Sequence, residues 1–249
     1  MSACLGALQS YDGDWKFIRL SKVPVESEFP AQFRRSPMPG SIEIRLPKTW
    51  PEFLQKLPGS RRYGIKRKLK KLSKNHDVEL VRVGLAVDDD SDQLARALDG
   101  ALQVSEASWQ SRVEPGLAIS DDKCRKFFIE ASKRMQRSQA LDLSVLYLDG
   151  APASFLWGMA RWPYTSISKL AYDPVYRELS PGRAHIALHI EDSIKRRFAK
   201  IDFGHESPEH KRQWSDEESS LCELWYFPPG MWSTLYRHWY RARRGVRPT

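Results

Sequence analysis

A chain of 249 residues, 41% hydrophobic and 11% aromatic, can bury a sizeable core, which excludes an intrinsically disordered protein. Its 40 Lys and Arg against 31 Asp and Glu leave a formal charge of +9, which favours anionic partners: nucleic acid, phosphorylated cofactors or an acidic membrane surface. Cys4, Cys124 and Cys222 are too scattered for a disulfide framework or a metal knuckle. With no signal-peptide pattern and no apolar run of bilayer length, they lead to the expectation of a cytoplasmic protein without a transmembrane segment.

In chain order, residues 1–10 read as a leader and Trp15 to Leu20 as a short strand. Pro24, Pro30, Pro37 and Pro39 mark Val23 to Gly40 as an extended connection, with Phe29 and Phe33 needing burial. Ile42, Ile44 and Leu46 alternate with polar residues as in a half-buried strand. Trp50, Phe53, Leu54 and Leu57 share a helical face, and Pro58-Gly59 closes that helix. The run Arg61, Arg62, Lys66, Arg67, Lys68, Lys70 and Lys71 keeps Ile65, Leu69 and Leu72 at helical spacing. It is an amphipathic basic helix, read either as a solvated face or as an anion-binding surface through Lys66, Arg67 and Lys70. Val78 to Val83 predicts a strand, Asp88 to Asp92 an acidic lead into a helix through Val104, and Arg112 to Asp121 a mobile loop.

The second half has sharper punctuation. Asp121 or Asp122 caps a helix through Phe127, Phe128, Ala131 and Met135. Leu141 to Leu148, Ala151 to Arg161 and Tyr164 to Tyr172 read as three antiparallel strands, joined by a hairpin at Asp149-Gly150 and a turn at Trp162-Pro163. Ser180 as N-cap and Pro181 at the first helical position open a helix with Ile186, Ile190, Ile194 and Phe198 on one face. Gly182 then leaves the first amides uncovered and Arg183 follows, a start suited to phosphate. A strand from Lys200 to Phe203 ends at Gly204. A short helix over Pro208 to Trp214, a strand from Leu221 to Phe227 and a terminal helix from Trp232 to Arg244 complete the chain.

The ordered set Leu148-Asp149-Gly150-Ala151-Pro152-Ala153, Ala171-Tyr172-Asp173-Pro174-Val175-Tyr176, Ser180-Pro181-Gly182, Asp202-Phe203-Gly204 and Lys211 with Trp214 resembles a known core. It is similar to the acyl-CoA-binding core of the GNAT N-acetyltransferase superfamily, and more closely to its FemAB/CelD-like branch. The resemblance implies an α/β (α+β) fold, a GNAT-like mixed sheet flanked by helices. It also implies two tandem halves: a reduced one over 1–115 carrying the basic helix, and a donor-binding one over 116–249. Two parallel strands would splay apart, with pantetheine pairing along Leu170, Ala171 and Tyr172. The pyrophosphate would meet Ser180, Gly182, Arg183 and Ala184. Most family members carry a longer glycine-rich loop where this chain has Ser-Pro-Gly, and a tyrosine where His210 precedes Lys211.

Acyl transfer to an amine needs a base, an oxyanion stabiliser and a proton for the leaving thiolate. His205 and Glu206 follow the second splayed strand as base candidates, although a lone histidine is more often an ordinary loop residue. Asp173 reads as a base or as a cap before Pro174, Tyr172 as a thiolate acid or an edge aromatic, and Lys211 as an anion or oxyanion contact. His185 and His189 have metal-compatible spacing but no acidic or cysteine partner nearby in sequence, so packing explains them better and no metal is expected. The leading expectation is transfer from acyl-CoA, acetyl-CoA or longer, to an amine or hydroxyl. The alternatives are aminoacyl or peptidyl transfer from charged tRNA, with a carrier protein as a further donor class, and a non-enzymatic nucleic-acid-binding module. The last is supported by the basic helix and by Tyr236, Arg237, Trp239, Tyr240, Arg241, Arg243 and Arg244.

Overall fold

The computed structural model describes residues 17–85, 91–113, 118–204, 211–215, 217–228 and 234–235. Contacts divide the chain into a large unit, Ile42–Glu217, and a small one made of Met1–Ser41 and Glu218–Thr249. The expected boundary at 115–116 does not coincide with this division. Strand β3 (Val78–Val83), which lies before it, pairs along its whole length with β4 (Leu141–Leu148), which lies after it.

In the small unit, β1 (Ile18–Pro24) pairs antiparallel with β8 (Glu218–Tyr226). Phe33, Cys222 and Leu224 form its core, with Phe29 packed against them as its apolar character requires. The segment read as a connection is strand in its last part, because β2 runs from Arg34 to Arg45 through both Pro37 and Pro39. Prolines two residues apart remove N–H groups from one edge only, which leaves the other edge able to pair. The boundary between the units falls within this strand.

The large unit is built on the strand order β2-β7-β6-β5-β4-β3, where β5 is Ala151–Arg161, β6 is Tyr164–Tyr172 and β7 is Lys200–Asp202. The Asp149-Gly150 turn has positive φ at both residues, 52° and 80°, as a two-residue hairpin demands. Every residue of β4 is buried, since helices cover both faces. Its odd-numbered residues Leu141, Leu143, Val145 and Tyr147 pack with α3 (Ser91–Ala107) and α5 (Asp122–Arg137). On the opposite face, α1 (Trp50–Lys56), α2 (Gly59–Asn75) and α6 (Pro181–Lys195) gather around Ile42, Ile44, Ile167, Ile186, Ile190 and Ile201. Pro58-Gly59 ends α1 and at once starts α2.

Three local expectations change. Residues 110–113 are a short helix, α4, and Ala118 and Ile119 are buried, so the loop from Arg112 is anchored at its far end. Ser120 donates to Ser105 Oγ at 3.0 Å there. Phe127 is exposed while its neighbour Phe128 packs edge-on against Trp157. The leader, Asp88 to Asp90, most of the terminal aromatic and basic helix, and the first residues of the helix expected from Pro208 lie outside the described residues.

Candidate functional site

The site follows from how β6 meets β7. The two run parallel and pair only over Tyr164–Ser166 with Lys200–Asp202. β7 is paired on its other side with β2 and stays with it past that point, Phe203 N–H donating to the Ile42 carbonyl at 2.9 Å, while β6 continues on β5 to Tyr172. A wedge therefore opens between two parallel strands, and past Ser166 one edge of β6 has no strand partner among the described residues. Gly158 assists this path, since a Cβ there would stand 1.7 Å from the Ser166 carbonyl oxygen, where the β5–β6 register shifts. At the open edge, Leu170 carbonyl accepts from the Gln110 side-chain amide at 3.2 Å.

Helix α6 starts beside the open end. A 3-10 turn (Pro174–Leu179) leads into it, with Asp173 capping that turn by accepting from Val175 N–H at 2.9 Å. Asp173 thus fills the capping role, one of its two expected readings. Ser180 does not cap α6 through its side chain as expected: it sits at φ 53°, in the left-handed region, and makes no such bond. That conformation turns the chain directly from the 3-10 helix into α6 and costs a non-glycine residue roughly 1–2 kcal/mol. The expected amides are also mostly engaged. Ser180 N–H donates to Arg177, and both Arg183 and Ala184 N–H donate to the Ser180 carbonyl, at 3.1 and 3.2 Å. Pro181 at the first helical position carries no N–H. Gly182 N–H has no acceptor among the described residues, and a Cβ at Gly182 would meet only Tyr172 Cδ1, at 3.6 Å.

Cations stand beside this helix start. A cavity of about 230 Å³ opens between α2 and α6, lined by Arg61, Lys68, Arg183 and Gln213 over an apolar floor of Ile65, Leu69, Ala184 and Ala187. Among the described residues no carboxylate lines it. Burial and the neighbouring Arg183 cation hold Lys68 below the ordinary lysine value, and neither cation has an ion-pair partner among the described residues. Trp214, 2% exposed, contributes an indole N–H without an acceptor to the same wall. The sequence named Lys66, Arg67 and Lys70, which are exposed, and missed Lys68, which faces the helix start. The missed signal was the i, i+4 row Gly64, Lys68, Leu72, whose apolar end indicates the buried side.

Among the other expected residues, Lys211 Nζ donates to the Gly204 carbonyl at 3.2 Å, just past β7. His205 and Glu206 lie outside the described residues.

The closed end of the wedge is a buried polar network. Arg82 forms a two-pronged pair with Asp142 at 2.8 and 2.7 Å and also reaches Asp192 and Ser193, each at 2.9 Å. Thr165, at the β6–β7 junction, donates to Asp142. His185 lies between Ser144 and Ser154 at 2.9 and 2.8 Å, and His189 reaches Ser144 at 3.2 Å. An acidic neighbour does exist for His189, contrary to the sequence reading: Asp142 is 3.6 Å away, but Arg82 occupies it. Burial and the Arg82 cation push His189 down to about 3, while burial and His189 push His185 well below the usual imidazole range. Burial alone would raise Asp142; Arg82 and His189 overcome it and bring the carboxyl down to about 2.

A mixed sheet whose parallel strands splay beside a helix start is the acyl-donor-binding arrangement of the GNAT fold, and the family description "Acetyltransferase (GNAT) domain" matches residues 59–212. The chain belongs to that family. In solved structures it is similar to the C-terminal domain of a putative lysylphosphatidylglycerol synthetase from Agrobacterium fabrum, at 12% identity and TM-score 0.56, covering 88% of this chain and 69% of that one. It is similar also to FemX, at 13% identity and TM-score 0.48 (95% and 78% covered). A tandem GNAT protein from the clavulanic acid biosynthesis pathway matches at 10% identity and TM-score 0.46, with 88% and 66% covered. No protein of curated function matches the sequence. Among the described residues, no helix is long and apolar enough to cross a membrane.

Proposed function

We propose that the protein transfers an acyl group from acyl-CoA to an amine or hydroxyl, with the donor lying along β6 and its phosphates between Gly182, Arg183 and Lys68. Within the superfamily we read it with the FemAB/CelD-like branch, on the ordered set of residues that resembles it. The observation that carries the reading is the open edge of β6 ending beside two cations that have no ion-pair partner among the described residues. An amide already donates to the Leu170 carbonyl from Gln110, so this edge suits the amides of a pantetheine arm. Arg183 and Lys68 supply the positive charge that a sparse set of helix amides cannot.

In this reading the acceptor attacks the thioester carbonyl as a base removes its proton. The tetrahedral oxyanion collapses, the carbon–sulfur bond breaks, and the thiolate takes up a proton. Tyr172 stands at the end of β6, against the helix start, where a hydroxyl is suited to that last step. Lys211 supplies positive charge beyond β7, and His205 and Glu206 remain the proposed bases. Acceptor chemistry is left to the residues after Gly204 and to the segment before Asp121.

Calorimetric titration with acetyl-CoA tests the donor. A glutamate at Gly182 has room beside Tyr172 and places a carboxylate in the first turn, a change worth roughly 0.3–1 kcal/mol in the helix's favour. Gly182→Glu is therefore expected to melt no lower than the wild type while losing acetyl-CoA binding. Equal affinity in the two proteins, or no binding to either, would overturn the acyl-CoA reading.

A further inference from the structure

The β5–β6 turn, at the far end of β6 from Tyr172, carries large side chains that the core does not use. Met159, Trp162 and Tyr164 are 53%, 70% and 53% exposed. One exposed apolar residue is ordinary; three at one hairpin end form a patch. Strand register shows what surrounds them. Arg161 stands opposite Tyr164 on β6, Tyr164 opposite Lys200 on β7, and Lys200 opposite Arg45 on β2. Residues that face each other across a ladder, or lie two apart on a strand, project from the same side of the sheet. Met159, Arg161, Tyr164, Lys200 and Arg45 therefore share one strip, and Lys200 Nζ lies 5.4 Å from the centre of the Tyr164 ring. Ala199 N–H donates to the Pro163 carbonyl at 2.8 Å, which brings the exposed Arg197 to the same end of the sheet. Arg45 and Lys200 are paired with Glu217 and Glu43 at 2.8 and 2.9 Å, whereas Arg161 and Arg197 have no ion-pair partner among the described residues. Beside Trp162 a cavity of about 450 Å³ is lined by Arg161, Arg196, Ser138 and Gln139 over Ala160 and Phe198, and among the described residues by no carboxylate. Arg196 belongs to the end of α6 and pairs with Asp192 at 2.7 Å, as a helix C-terminus favours. Arg161 is on a strand, where no helix dipole accounts for it.

We propose that this end of the sheet docks on an anionic lipid bilayer. Trp162 and Met159 enter the boundary between headgroups and acyl chains, Arg161 and Arg197 meet lipid phosphates, and the cavity beside Trp162 takes one headgroup. An indole and a thioether at a turn suit that boundary, where one end of a side chain is apolar and its surroundings are wet. Cations around them match the negative surface of such a bilayer. A single strand of nucleic acid would call for open aromatic faces in succession along a basic groove, and here Lys200 already stands over the Tyr164 ring. The surface lies at the opposite end of β6 from the proposed donor phosphates, so it stands or falls separately from the donor.

Co-sedimentation of the full chain with lipid vesicles is the test. The wild type should bind vesicles of phosphatidylcholine mixed with phosphatidylglycerol, less so as salt is added, and should hardly bind phosphatidylcholine alone. Arg161→Gln with Arg197→Gln should lower the partition coefficient by roughly 25-fold, about fivefold for each cation removed from an anionic surface. Trp162→Ala should lower it by on the order of tenfold, through the indole area no longer buried. Bromine on the lipid acyl chains should quench part of the wild-type tryptophan fluorescence, and that part should vanish in Trp162→Phe. The three substituted side chains are exposed, and far-ultraviolet circular dichroism checks that the variants fold. Reversal of Lys66, Arg67 and Lys70 to glutamate on α2, the other basic surface, should cost less binding than the arginine pair. The proposal is overturned if mixed vesicles are not bound, if phosphatidylcholine alone is bound equally, or if the α2 variant loses binding that the arginine variant keeps. Equal bromine quenching in Trp162→Phe would overturn it as well. A single-stranded oligonucleotide that displaces the wild type from vesicles and is released by the arginine variant would reassign the surface to nucleic acid and also overturn it.

Discussion

At the closed end of the β6–β7 wedge, Arg82 enters the interior and meets Asp142 through two hydrogen bonds, then Asp192 and Ser193. At the open end Lys68 and Arg183 stand side by side over an apolar floor, and neither has an ion-pair partner among the described residues. Both ends gather cations around the same helix, α6, and they differ in whether the described residues supply an ion-paired counter-charge. Where they do, the charge is structural, because a buried ion is tolerated only with its hydrogen bonds satisfied. Where they do not, the folded chain carries a repulsion that an external anion would relieve. We propose that this cluster, with room for an anion beside it, serves binding and not folding.

Mutation should separate the two ends most clearly in stability. Asp142→Ala strands the Arg82 guanidinium inside and is expected to cost about 3–5 kcal/mol. Urea denaturation would read this as a large drop in midpoint. A loss below 1 kcal/mol would mean that water or a shifted Arg82 replaces the carboxylate, and the contrast between the ends would weaken.

Acid should act on the closed end alone. His185 and His189 are held neutral in the folded protein, His189 down to about 3, whereas in the unfolded chain each titrates near 6.5. Below that value the unfolded state binds more protons than the folded one. Stability is therefore complete above about pH 6.5 and declines as pH falls, by about 1.4 kcal/mol per pH unit for each histidine. Asp142 adds a loss of the same sign lower down, below the ordinary aspartate value, as its protonation breaks the pair with Arg82. His185→Gln should halve the histidine slope between pH 6 and 5 in a series of urea titrations. An unchanged slope would show that the buried network is not the origin of acid sensitivity.

The open end should show the reverse pattern. Reversing Lys66, Arg67 and Lys70 to glutamate, or replacing Lys68 with methionine, should weaken acetyl-CoA binding by on the order of tenfold, and added salt should weaken the wild type. Folding should shift by less than about 0.5 kcal/mol, and for Lys68→Met upward, since a desolvated cation beside Arg183 is removed. A Lys68→Met protein that is clearly destabilised would make Lys68 structural. The smallest stability effect is expected for Lys211→Met: its ammonium holds one carbonyl at Gly204, so melting should hardly move while kcat/KM falls. Normal turnover would exclude Lys211 from the reaction.

The sequence by itself determined the local elements of the donor half. Alternation in Leu141 to Leu148 and Tyr164 to Tyr172, the Asp149-Gly150 hairpin, Pro181 at the first turn of α6 and the isoleucine stripe behind it are all short-range signals. Each is written within a few residues, where steric and hydrogen-bonding preferences act directly. The splayed strands were named only through the family resemblance, because no local rule fixes where two parallel strands part. What the tertiary structure decided is which distant groups meet. Asp142 in a strand and Arg82 sixty residues earlier become one ion pair, and the two histidines meet serines on β4 and β5. Lys68, one cation among many in a basic helix, is singled out because α2 packs across the start of α6. Pairing of charges depends on distance and desolvation in the folded chain, and a one-dimensional pattern contains neither until long-range packing has set them.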